Sequence, residues 1–162
     1  MDNSIDMAFK ASWAKVEWVR EKTTKFLETH GFSQVTVYSM AMIISELVEN
    51  SIKYGHFCTP EDEIFVRLNI SRNLLTMEVH NPVDDSATIH LKRLDRTIQW
   101  IRGYQDSFEA YIEKLKEISK KPLEDEESGL GLVRIAYEGK AILDFYVGDN
   151  DMLNVSAVAN VD

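Results

Sequence analysis

Three polar side chains in one short stretch are spaced so that they could line a polar site together: Glu46, Asn50 and Lys53 in Ile44-Ser45-Glu46-Leu47-Val48-Glu49-Asn50-Ser51-Ile52-Lys53-Tyr54. Steps of four and three return to one side of an α-helix, so a carboxylate, a carboxamide and an ammonium project together beside an apolar stripe. The same spacing also suits a solvated helix face with a Glu49–Lys53 pair. A second stretch starts as the acidic loop Glu124-Asp125-Glu126-Glu127 and passes through Ser128-Gly129-Leu130-Gly131 into an apolar helical pattern. Small residues stand there where a backbone must come close to something, and the first N–H groups of a helix suit a phosphate. By itself a Gly-x-Gly is equally a tight turn.

Elements must hold these groups. Ala41, Ile44, Val48 and Ile52 form one stripe of a helix over residues 38–54, with Gly55 just past its end. Before it, Phe9, Trp13, Val16, Thr23 and Leu27 recur at helical spacing, which predicts a first helix of about five turns closed by Gly31 in the left-handed conformation. Ile64, Val66, Leu68 and Ile70 alternate with polar residues, as do Leu75, Met77 and Val79 after the turn Ser71-Arg72-Asn73, so a hairpin is expected. Residues 141–147 and 153–158 flank the turn-rich Gly148-Asp149-Asn150-Asp151 and predict a second strand pair. Four strands in two antiparallel pairs, with helices before and between them, imply an α+β sandwich whose sheet is covered by helices on one face.

Between the pairs, residues 88–119 carry Leu91, Leu94, Ile98, Ile101, Phe108, Ile112 and Leu115 in steps of three and four, with a break in register at Gln105. One continuous helix there would be roughly 45 Å long, more than such a domain is wide, and Gly103 is the cheapest place to bend it. Its stripe can pack on the protein's own core or pair two subunits as a homodimer.

The whole chain, 162 residues with 44% hydrophobic content, is about one domain's worth. A net charge of -9 repels a phosphate backbone, which argues against nucleic acid. Cys58 is the sole cysteine, the four histidines show no metal-ligand spacing, and no apolar run is long enough to span a bilayer. A cytoplasmic protein is expected. Any anionic ligand must be held by backbone amides and a metal ion, because the overall field opposes it.

Taken together and in this order, the two polar stretches resemble the N-box and the second glycine box of the GHKL ATPase superfamily, over about two thirds of the chain. Glu-x-x-x-Asn followed by Ser-Ile-Lys-Tyr, and Ser-Gly-Leu-Gly-Leu-Val, look most like the motifs of bacterial anti-sigma-factor and SiaB-type serine/threonine kinases. That resemblance implies a two-layer α/β sandwich over residues 1–162, with a helical, lid-like insertion at about 86–128 before the second glycine box. It implies Glu46 as general base, Asn50 as Mg²⁺ ligand, and an ATP site built with Lys53, Ser128, Gly129, Leu130 and Gly131. It further implies a small STAS-type substrate protein and a cognate phosphatase in the same pathway.

One departure concerns the base. The superfamily's Asp-x-Gly-x-Gly is replaced by Asn81-Pro82-Val83-Asp84-Asp85, with both glycines missing. Asn81 stands in the place of the adenine-binding aspartate and can accept from an amino group, while Asn81-Pro82 also reads as a plain turn. Histidine kinases share the superfamily fold, but His30 precedes Gly31 and His56 precedes Phe57, unlike a phosphoacceptor followed by an acidic residue, and no sensor segment is read. Two functions remain open: a kinase using Glu46 and Asn50, and a non-catalytic module of the same fold that works by docking a partner.

Overall fold

The computed structural model describes residues 2–103, 107–119, 130–137, 139–148 and 150–161. In chain order the elements are β1 (Ser4–Phe9), α1 (Ala14–Thr29), α2 (Gln34–Tyr54), β2 (Ile64–Ser71), β3 (Leu74–Pro82), α3 (Thr88–Arg102), α4 (Ser107–Ser119), α5 (Leu130–Tyr137), β4 (Ile142–Val147) and β5 (Met152–Asn160). The strands form one sheet in the order β1-β2-β3-β5-β4, and every pairing is antiparallel. This is the α+β arrangement expected, with five strands in place of four.

The additional strand is β1. Phe9, expected in the first helix, pairs with Ile64 of β2 and points into the core with Met7. Helix α1 starts only at Ala14, with Trp13 at its N-cap, and it ends as expected before Gly31, whose φ is +79°. Helix α2 begins four residues earlier than its apolar stripe suggests. Ser33 Oγ accepts the Thr36 N–H there at 3.2 Å, a side-chain cap that sets the start.

Alternation in β2 and β3 fixes which sheet face is dry. Ile64, Val66, Leu68, Leu75, Met77 and Val79 are fully covered, while Phe65, Arg67 and Asn69 face outward on the opposite side. Helix α2 supplies the other half of the core through Ile43, Ile44, Leu47 and Val48, all essentially inaccessible. Pairing of β3 with β5 then sets Asn81 beside Leu153 at the sheet's end, next to the C-terminal half of α2.

The long helix expected before the glycine turn is two helices. The Gly103 N–H closes α3 on Gln99 O at 3.0 Å, and α4 starts at Ser107; glycine is the weakest helix former in the run apart from proline, so the chain breaks where bending was expected. The register break at Gln105 lies outside the described residues. In α3 the stripe packs inward, with Leu94 and Ile98 in the core and Leu91 and Ile101 packed against it. Among the described residues, no helix is long and apolar enough to cross a membrane.

Candidate functional site

Helix α2 forms the floor of a cavity of about 310 Å³, lined by Glu46, Asn50, Lys53, Asn81 and Gly131 among others. Five sequence-selected residues from three separate elements therefore meet at one place. Glu46, Asn50 and Lys53 share the cavity side of α2 because the opposite side is locked into the core by Ile44 and Val48. Ser128 and Gly129 lie outside the described residues. Leu130 and Gly131 open α5, an eight-residue helix anchored by Leu132, Val133 and Ile135.

Gly131 shows why a side chain is absent at that position. A Cβ built on it would lie 2.5 Å from Glu46 Oε2 and 3.3 Å from Glu46 Cδ, so the carboxylate occupies the space a side chain would fill. The other carboxylate oxygen, Oε1, accepts from Arg134 Nη1 at 3.4 Å, across a pair that is partly buried on both sides. Glu46 is thus held between the backbone of α5 and a guanidinium one turn further along the same helix. Arg134 follows Gly131 by three residues, and that spacing was the available signal for its role.

Asn81 is buried to 1% exposure at the cavity's inner end. Its Nδ2 donates to Pro82 O at 3.1 Å, while Oδ1 has no hydrogen-bond partner among the described residues. A buried carbonyl oxygen left in this state costs about 1–3 kcal/mol, so a donor arriving from a ligand would be repaid there. Successive strand residues face opposite ways, and the preceding residue, His80, accordingly lies on the outer face of the sheet, away from this cavity.

The wall opposite α2 was not anticipated in detail. His90, Arg93, Leu94 and Thr97 line the cavity at i, i+3, i+4 and i+7, so one face of α3 serves both core and site. His90 stacks on Tyr54, with ring centroids 3.8 Å apart and planes 13° from parallel. Burial, then the positive charges of Arg93 and Lys53, push the His90 imidazole down to about 4, so it is neutral at neutral pH. Glu49, read from the sequence as a partner of Lys53 on a solvated face, also lines the cavity and a second groove between α1 and α2, where Arg20, Tyr38 and Arg134 lie. Trp13 reaches the cavity from the start of α1.

No protein-family model and no curated protein sequence matches the chain. Among solved structures, a chain of the SiaB–SiaC complex from Pseudomonas aeruginosa superposes with a TM-score of 0.71 at 17% identity, covering 95% of this chain and 88% of that one. The fold is shared across nearly the whole length. The backbone thus carries the fold that the resemblance of the two short motifs implied.

Proposed function

We propose that the protein is an ATP-dependent serine/threonine kinase of a partner-switching system that phosphorylates a small STAS-type protein. The observation that carries this reading is the convergence of Glu46, Asn50, Lys53, Asn81 and Gly131 on one cavity, with Glu46 lying against the bare α-carbon of Gly131. A neighbour of the same fold solved as a complex with a second protein supports a protein partner.

The residues present fit Mg-ATP. Oxygen donors surround the cavity floor, and a buried amide oxygen with no partner among the described residues awaits an amino group. Asn50 would hold Mg²⁺, Lys53 and the backbone of Ser128, Gly129, Leu130 and Gly131 the phosphates, and Asn81 the base. Bound Mg-ATP supplies the transferable phosphoryl group and a cation that neutralises its charge. Glu46 accepts the proton of the partner's hydroxyl, and Arg134 keeps its carboxylate from turning away while the partner docks. Lys53, exposed at the cavity edge, offsets locally the repulsion expected from a chain of charge -9.

A second reading is a non-catalytic docking module. It is favoured by Asn81-Pro82-Val83, where the first glycine box is lost, and by the engagement of Glu46 with Arg134. The two separate in one experiment: incubation with labelled Mg-ATP and STAS-type proteins encoded nearby. Transfer to a serine or threonine, abolished by EDTA, supports the kinase. Partner binding without transfer, in a protein that Mg-ATP fails to stabilise by the about 2.7 kcal/mol expected at a hundredfold excess over Kd, supports the module.

A further inference from the structure

The contact between Tyr54 and His90 joins the last residue of α2 to the first turn of α3. Its separation of 3.8 Å is shorter than the roughly 4.5–7 Å of most aromatic pairs, and a near-parallel sandwich is the arrangement that ring quadrupoles favour least. It is, however, the arrangement of a flat heterocycle laid on an aromatic side chain. Both rings line the same cavity as Asn81, whose buried Oδ1 lacks a donor among the described residues. That cavity, at about 310 Å³, lies at the lower end of the roughly 300–1,000 Å³ usual for small-molecule sites. An imidazole lying on Tyr54 is the kind of group whose departure would enlarge that cavity.

We propose that His90 occupies the base subsite: its imidazole stands in for an amino-bearing flat heterocycle, which enters by displacing His90 from the face of Tyr54 and donates its amino N–H to Asn81 Oδ1. This rests on the nucleotide-binding reading above and adds to it the residue that the base must move. Displacement carries no net charge with it, because the imidazole is neutral in the free protein at neutral pH. It also leaves α3 attached, since Leu94 and Ile98 hold that helix to the core independently of His90.

Proton NMR of the histidine rings tests this directly. With four histidines in the chain, the His90 signals are assigned by their loss in His90→Ala. Stacked on Tyr54 they should lie upfield; saturating Mg-ATP should move them downfield, and Mg-tripolyphosphate, which carries no base, should leave them in place. His90→Ala should bind Mg-ATP about two- to tenfold more tightly, the equivalent of the ring contact no longer broken, with tripolyphosphate affinity unchanged. Mg-ATP binding with His90 signals still upfield, or weaker Mg-ATP binding by His90→Ala, overturns the proposal while leaving the nucleotide site standing. Binding of tripolyphosphate with no gain from the base overturns it likewise. Failure of the wild-type protein to bind either ligand removes the nucleotide reading, and the base subsite with it.

Discussion

The two walls of the cavity are built differently. Helix α2 buries ten residues, from Val37 to Ser51, whereas α3 buries only Leu94 and Ile98. The groups that would do chemistry, Glu46 and Asn50, ride on the deeply anchored wall; His90 and Arg93, which close the cavity from the other side, ride on the lightly anchored one. Elements with few buried contacts open at lower free energy than the core, so the α3 wall should open more readily than the α2 wall. The contrast teaches where precision and adaptability are divided in this protein.

The most damaging challenge to that division is a change of chemistry on the fixed wall. Glu46→Gln keeps shape and reach but removes the base, so phosphoryl transfer to a partner should fall by about 10²–10⁴-fold with Mg-ATP affinity nearly unchanged. Transfer at the wild-type rate would show that Glu46 is not the base. Next in size are paired core deletions, Ile43→Ala in α2 and Ile98→Ala in α3. Ile43 is inaccessible and packed on all sides, so its loss should cost about 2–5 kcal/mol in global unfolding measured by urea titration. The cost at Ile98 should be smaller and should appear as faster amide exchange confined to the α3 side. Equal global losses at both sites would mean that the walls are one cooperative unit.

How legible these walls were in the sequence follows the same contrast. Strands β2 and β3 and the stripe of α2 carry clean periods of two and 3.6 because each has one fully dry face, and the expected Glu46, Asn50, Lys53 grouping followed from that stripe. Strand β1 was hidden because Phe9 and Trp13 are four apart and no glycine or proline marks the change from strand to helix between them. The apolar steps of three and four resumed beyond Gly103 with only Gln105 out of register, so two helices read as one. His90 is an ordinary helix residue until Tyr54 is set against it, and Arg134 offers only its spacing from Gly131 until Glu46, distant in sequence, meets it.

A smaller effect is expected where the walls are joined through α5. Gly131→Ala puts a methyl where Glu46 Oε2 now lies, and because that oxygen ends a flexible side chain the fold should tolerate it by letting the carboxylate swing aside. Stability should barely change while transfer drops by roughly ten- to a hundredfold from misplacement of the base. A Gly131→Ala protein with full transfer, or one that fails to fold, would contradict the packing of Glu46 on α5.

The smallest effect is one of pH, and it reads the lightly anchored wall alone. The His90 imidazole is held down at about 4 in the folded protein against an ordinary 6.5, so between those values the unfolded chain binds a proton that the folded chain does not. Stability contributed by the neutral, stacked ring is therefore complete above about pH 6.5 and declines as pH falls towards 4. The full linkage would exceed 3 kcal/mol, but the ring is only half-buried and solvent screens its neighbours Arg93 and Lys53, so a loss of about 1 kcal/mol is expected. Asp6, held down by the hydrogen bond from Arg67, and Asp84, held down by Ser86, titrate below their ordinary 3.8, so His90→Gln in an otherwise unchanged chain isolates the imidazole from them. Urea titrations of wild type and His90→Gln through this range should differ in slope, the variant losing the dependence, and the lost protection should appear in amide exchange at the start of α3 while α2 stays protected. A wild-type slope retained in His90→Gln would show that the proton uptake occurs at another group.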